Sequence, residues 1–242
     1  MLSSTLEGLE LDLDYPDLEG RRVLVTGVSS AIGVEVARLL AEHRVRLVMQ
    51  ACDDTPEVHA LAEIVARSAS DVRLFTGELP TPDSILRFAR SAAQSFGGLD
   101  GVINVTELKE PVDGSVASIN DLMADMLSLP CLVSRVVANR MRMAMIEGTI
   151  LNIVMAPSAA SRRTRTVAGI ARSALATLTR GEAATWGSHG IRINAIAPST
   201  DILGSRGGAC ISGTPDVATL ALHLASERGG NLSGLVFEGW CG

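Results

Sequence analysis

The stretch RRVLVTGVSSAIGVEVARLLAEH, residues 21–43, decides the fold. Val23, Leu24 and Val25 make a short apolar run that breaks at Gly27; apolar residues then return at helical spacing from Ile32 through Val36, Ala37, Leu40 and Ala41. A strand that passes through a glycine-bearing turn directly into a helix sets free backbone N–H groups and the positive end of the helix dipole beside the strand's carboxyl end, a place suited to a pyrophosphate. In that context Gly27 allows the tight turn and Gly33 lets the helix pack closely. The residue between them is Ala31, where the usual fingerprint has glycine, and its methyl narrows the approach of a phosphate without closing it. A fold that needs the turn for its own packing would keep the same residues.

Outward from this unit, short runs rich in β-branched residues alternate with helical stretches. VRLVMQA, VRLFTGE, LDGVINV, GTILNIVM, GIRINAIAP and GLVFEG read as strands, and most are continuously apolar, as strands covered on both faces should be. Between them, residues 56–69, 83–96, 119–145, 166–180 and 215–227 carry apolar side chains at helical spacing. Repeated β–α alternation predicts an α/β fold: one doubly wound parallel sheet of about seven strands with helices on both faces, in a single domain over residues 19–242. Residues 1–18 are set apart by their acidity and read as a solvated or loosely docked arm.

A chain of 242 residues, 47% hydrophobic and 20% charged, is long enough for one well-filled core. Its net charge of -6 gives no electrostatic reason to expect nucleic acid or an anionic membrane as partner. Cys52, Cys131, Cys210 and Cys241 are far apart, without the spacing of a metal site, and fit a reducing compartment. There is no basic segment leading into an apolar run at the start and no apolar stretch of membrane-spanning length, so a cytoplasmic location is expected. His43, His59, His189 and His223 lie on separate elements and do not read as metal ligands, and Ser158 lacks the GxSxG setting of a hydrolase nucleophile. Arg162, Arg163, Arg165 and Arg172 form a basic cluster that could hold a CoA phosphate or a partner's carboxylates but reads first as a solvated loop with one helical arginine, and the methionines around the long fourth helix read as adaptable core, although Met-rich faces also suit partner surfaces.

LEGRRVLVTGVSSAIG, FGGLDGVIN, GTILNIV, ARSALATLTR, GIRINAIAPS, PDVATLALHLAS and NLSGLVFEG resemble, in order and spacing, the landmarks of the short-chain dehydrogenase/reductases, over about residues 18–242. The resemblance implies a Rossmann fold, NAD or NADP, and a tetrad of asparagine, serine, tyrosine and lysine in which tyrosine is the general acid/base. Carried over position by position, the tetrad is absent. The serine position falls on Met155, the tyrosine thirteen residues on at Ala168, the lysine at Arg172, and the asparagine at Met126 or, one residue earlier, Asp125. No register shift restores a Tyr-x-x-x-Lys pair, because Tyr15 and Lys109 are the chain's one tyrosine and one lysine. Arginine also replaces lysine poorly where a compact ammonium is wanted.

The cofactor positions are altered as well. The resemblance leaves Gly27, Ser29, Ala31, Ile32, Gly33 and Asn104 as a vestigial cofactor-binding set. Ala51 stands where an acid would meet the ribose, with Asp53 a distant substitute, and Glu107 replaces a glycine beside the cleft. Between IAPS and GTPDV the chain is more than a dozen residues shorter than the family pattern, which removes most of a substrate-covering loop. The expectation is a noncatalytic subunit that binds no cofactor tightly itself. It would pair through helices 119–146 and 166–187 with an active short-chain dehydrogenase holding NAD or NADP, in a hetero-oligomer such as a heterotetramer. Heteromeric members with one inactive partner are known, one of them acting on a hydroxyacyl-CoA. The alternatives are a homo-oligomeric dinucleotide or metabolite sensor without turnover, and an active reductase using Asp125, Glu107 or Arg172 as a substitute acid.

Overall fold

The computed structural model describes residues 14–107, 119–155, 162–197 and 214–237, apart from the side chains of residues 119–125 and 162–165. The quoted stretch folds as β1 (Arg22–Thr26) running through a turn into α1 (Ala31–Glu42). Then follow β2 (Arg46–Ala51), α2 (Pro56–Ala66), β3 (Asp71–Thr76), α3 (Pro82–Ala92), β4 (Gly101–Glu107), α4 (Ile119–Met143), β5 (Gly148–Met155), α5 (Arg162–Trp186), β6 (Ile191–Ile196), α6 (Thr214–Ala225) and β7 (Val236–Phe237).

The strands form one sheet in the order β3-β2-β1-β4-β5-β6-β7, every neighbouring pair parallel. The continuous apolar runs follow from this: β4 and β5 are buried along almost their whole length because helices cover both faces. One face packs α1 and α6 against Val23, Val25, Leu47, Met49, Ile103 and Leu151, while the other packs α3 and α4 against Leu24, Val48, Val102, Ile150 and Ile193. Alternate residues of each strand thus feed opposite layers. This is the doubly wound α/β architecture expected from the sequence.

The two long helices differ at their ends from the expected spans. α4 stops at Met143 because Met145 takes a left-handed φ of 53°, which cannot continue a right-handed helix. α5 begins at Arg162, four residues early, since a polar Arg-Arg-Thr-Arg start carries no apolar periodicity to read. The core also reaches back into the acidic segment, where Tyr15 and Leu18 are buried against the α1/α6 layer. Tyr15 lies between His43, His223 and Arg228, with the two histidine rings 5.6 and 6.2 Å from its own and the guanidinium 4.9 Å above it. Among the described residues no helix is long and apolar enough to cross a membrane.

Candidate functional site

Strand order reverses between β1 and β4, and the crevice beyond their carboxyl ends is where a ligand sits in an open parallel sheet. A cavity of about 350 Å³ occupies that place, lined by Gly27, Ser29, Ser30, Gln50, Cys52, Asp53, Val105, Thr106, Glu107 and Leu129. The turn beneath it is held from within. Ser30 caps α1, its Oγ accepting from the Gly33 N–H at 3.1 Å and donating to the Gly27 carbonyl at 2.8 Å. A Cβ on Gly27, whose φ is +71°, would lie 2.2 Å from the Val105 oxygen, and a Cβ on Gly33 would lie 2.2 Å from the Gly27 oxygen. Both glycines are therefore demanded by contacts inside the protein, whatever the cleft holds.

Gln50, near the end of β2, completes this support. Its Oε1 accepts from the Gly27 N–H at 3.3 Å and its backbone oxygen from the Val28 N–H at 3.1 Å. Its Nε2 is buried with no hydrogen-bond partner among the described residues. Ala31 and Ser29 are exposed at the helix start, and Ile32 is turned into the core. Asp53 and Glu107 are both exposed at the cleft, and no cationic side chain lines it among the described residues.

Asn104 lies beneath the cleft rather than in its lining. It is fully buried, its amide nitrogen donating to Asn152 at 2.8 Å and Ser134 at 3.2 Å, with the Thr26 hydroxyl reaching its oxygen at 3.4 Å. Its side chain is spent on tying β1, β4, β5 and α4 together and takes no part in the cleft. Sequence reasoning missed this group and Gln50. The available signal was a polar amide inside otherwise apolar strand runs, since such a residue is tolerated in a core only when it is hydrogen-bonded.

Two of the four positions carried over for catalysis are brought together as apolar packing. Met126 and Ala168 are 0% and 2% exposed and share one cluster with Val154, Val167, Ala171, Leu175 and Ala195. Met155, half-buried at the end of β5, packs against the α1/α6 layer and pairs in register with Glu107. Arg172 is half-buried one turn beyond Ala168 and makes no ion pair among the described residues. The side chains of Asp125, Arg162, Arg163 and Arg165, together with Ser158, Lys109 and the segment between β6 and α6, lie outside the described residues. The histidines make local contacts: His59 with Asp54 at 2.8 Å, His43 with the Leu39 carbonyl at 2.8 Å, and His223 with Tyr15 at 3.5 Å.

Comparison with known proteins agrees with this frame. The family model described as Enoyl-(Acyl carrier protein) reductase matches residues 27–202. The cis-4-hydroxycyclohexanecarboxylate dehydrogenase of Sinomonas cyclohexanicum is 30% identical over 186 residues, covering 74% of this chain and 72% of that protein. The D-threitol dehydrogenase of Mycolicibacterium smegmatis is 26% identical, with 96% of each chain covered. Among solved structures, a hydroxysteroid dehydrogenase from Escherichia coli superposes with a TM-score of 0.75 at 21% identity, covering 94% of this chain and 98% of that one; this likeness concerns the fold. The chain belongs to the short-chain dehydrogenase/reductase family.

Proposed function

We propose that this chain is a noncatalytic member of its family and serves as the structural partner of an active short-chain dehydrogenase. The observation that carries the reading is the apolar cluster around Met126 and Ala168, where a general acid/base and its supporting groups would stand. Methionine and alanine side chains transfer no proton at neutral pH, and removing a general acid/base typically costs about a hundred to ten thousandfold in rate. The cleft suits the family's nicotinamide dinucleotide poorly. Two exposed carboxylates meet a ligand that brings two negative phosphates, and no cation among the described lining residues offsets them.

Assembly is supported by what α4 and α5 leave uncovered. Met143, Ile170 and Leu178 are 65%, 46% and 39% exposed, and Ala174 lies one turn from both Ile170 and Leu178. Covering such a face gains about 25 cal/mol per Å² of apolar area. The test has two arms. The isolated chain is assayed with NAD(H) and NADP(H), and no turnover is expected; it is then co-expressed with any active family member found encoded beside it, and the mass is measured by light scattering. A mixed oligomer that Ala174→Arg dissociates supports the reading. A monomer without effect on any partner overturns it.

A second reading is favoured by the relatives, which are named as dehydrogenases: an oxidoreductase with Asp125, Glu107 or Arg172 as a substitute acid. Turnover by the isolated chain that falls with Glu107→Gln or Arg172→Ala would select it. Micromolar NAD binding without turnover would select a sensor instead.

A further inference from the structure

The cleft that suits a dinucleotide poorly is suited to a smaller ligand of the opposite charge. Asp53 and Glu107 line it and are exposed, and neither is paired with a cation among the described residues. The amino end of α1 opposes them with roughly half an elementary positive charge, against two full negative ones, so the described lining favours a cation.

Gln50, independently of the carboxylates, calls for an oxygen. It is 2% exposed and lines the cavity. Its Oε1 accepts from the Gly27 N–H, and turning the amide over would set its NH2 group against that N–H, donor against donor. The Nε2 therefore keeps its place, buried and without a partner among the described residues. A buried donor in that state costs free energy until an acceptor reaches it. Ser29 and Thr106 add hydroxyl groups to the lining, and Val105 and Leu129 add an apolar wall. At about 350 Å³ the cavity is at the small end of ligand sites, with room for one substituted ring rather than two nucleotides.

We propose that the cleft binds an amino sugar, or an amino alcohol of that size. Its ammonium meets Asp53 and Glu107, one oxygen accepts from the Gln50 Nε2, and its hydroxyls and carbon face meet Ser29, Thr106, Val105 and Leu129. The proposal rests on the reading that the cleft does not take the dinucleotide, and it holds whether or not the chain pairs with an active partner.

The test is calorimetry on the full chain at mildly acidic pH with three probes of one skeleton: glucosamine, which is cationic, glucose, which is neutral, and gluconate, which is anionic. Two exposed ion pairs should give glucosamine about a tenfold tighter affinity than glucose, with no binding of gluconate. Asp53→Asn and Glu107→Gln together should erase that preference. Both are surface groups, and an unchanged melting curve confirms that the variant is folded. Cyclohexylamine keeps the charge and lacks the oxygens; it should bind about fivefold more weakly than glucosamine and leave the Gln50 side-chain amide resonance unmoved, whereas glucosamine shifts it. Glucose binding as tightly as glucosamine would overturn the proposal, as would a preference that survives the double substitution or a Gln50 resonance indifferent to glucosamine. If neither glucosamine nor NAD binds at millimolar concentration, the proposal fails while the reading of the cleft as closed to the dinucleotide stands. Micromolar NAD binding would overturn both.

Discussion

Two regions of this molecule sit at the carboxyl ends of the same sheet and have been held to different standards. At the β1–α1 turn, the glycines survive; around α4, β5 and α5, every position carried over for catalysis bears a different residue. The difference lies in what each position touches. At Gly27 and Gly33 any side chain would meet a backbone oxygen at 2.2 Å, and backbone cannot move aside without opening the turn. At the tyrosine and asparagine positions, Ala168 and Met126 pack in one apolar cluster, whose side chains repack around a new neighbour. The fold by itself enforces this glycine fingerprint, so its presence says little about whether a cofactor is used.

The strongest challenge to that contrast is Gly33→Ala. The clash predicts a loss of stability of at least about 3 kcal/mol, read from urea unfolding. A loss under about 1 kcal/mol would mean that sterics do not hold the glycine and would return the argument to a ligand. Met126→Ala addresses the other region. Emptying a fully buried position in a tight cluster should cost about 2–4 kcal/mol, and a near-neutral result would indicate a site with room for something else.

At the opposite end of the sheet, Asp100 offers a comparison that is electrostatic rather than steric. Burial raises its carboxyl pKa, but the side-chain and backbone hydrogen bonds from Arg22 together outweigh this and hold it below the ordinary carboxylate range. A carboxyl depressed in the folded state adds stability above its unfolded pKa. That contribution is lost as pH falls below about 4 and through the depressed folded value. Asp100→Asn should cost about 1–2 kcal/mol at pH 7, since the pair is partly exposed, and should flatten the acid limb of a stability–pH curve. The smallest effect expected is from Ser30→Ala, about 1 kcal/mol for the lost cap. If it instead matched Gly33→Ala, the turn would rest on the cap rather than on close backbone packing.

Much of this protein was legible without coordinates, and the reason is periodicity. Strands covered on both faces must be apolar throughout and helices must repeat near 3.6 residues, so the alternation along the chain determined the doubly wound sheet, its parallel strands and the place of the turn. The absence of a Tyr-x-x-x-Lys pair was equally a property of the sequence, settled by the position of Tyr15 and Lys109. Only the tertiary structure decided what the remaining residues do. Asn104, in the set carried over for cofactor binding, is held as a buried strut, because its partners Ser134 and Asn152 come from distant parts of the chain. Tyr15 looked like part of a solvated or loosely docked arm and is buried in the core, since its neighbours His43 and His223 are brought to it by α1 and α6. Met126 and Ala168, 42 residues apart, became one apolar cluster only when α4 and α5 packed side by side. Local pattern carries the elements, whereas the role of a side chain depends on neighbours that the chain order does not name.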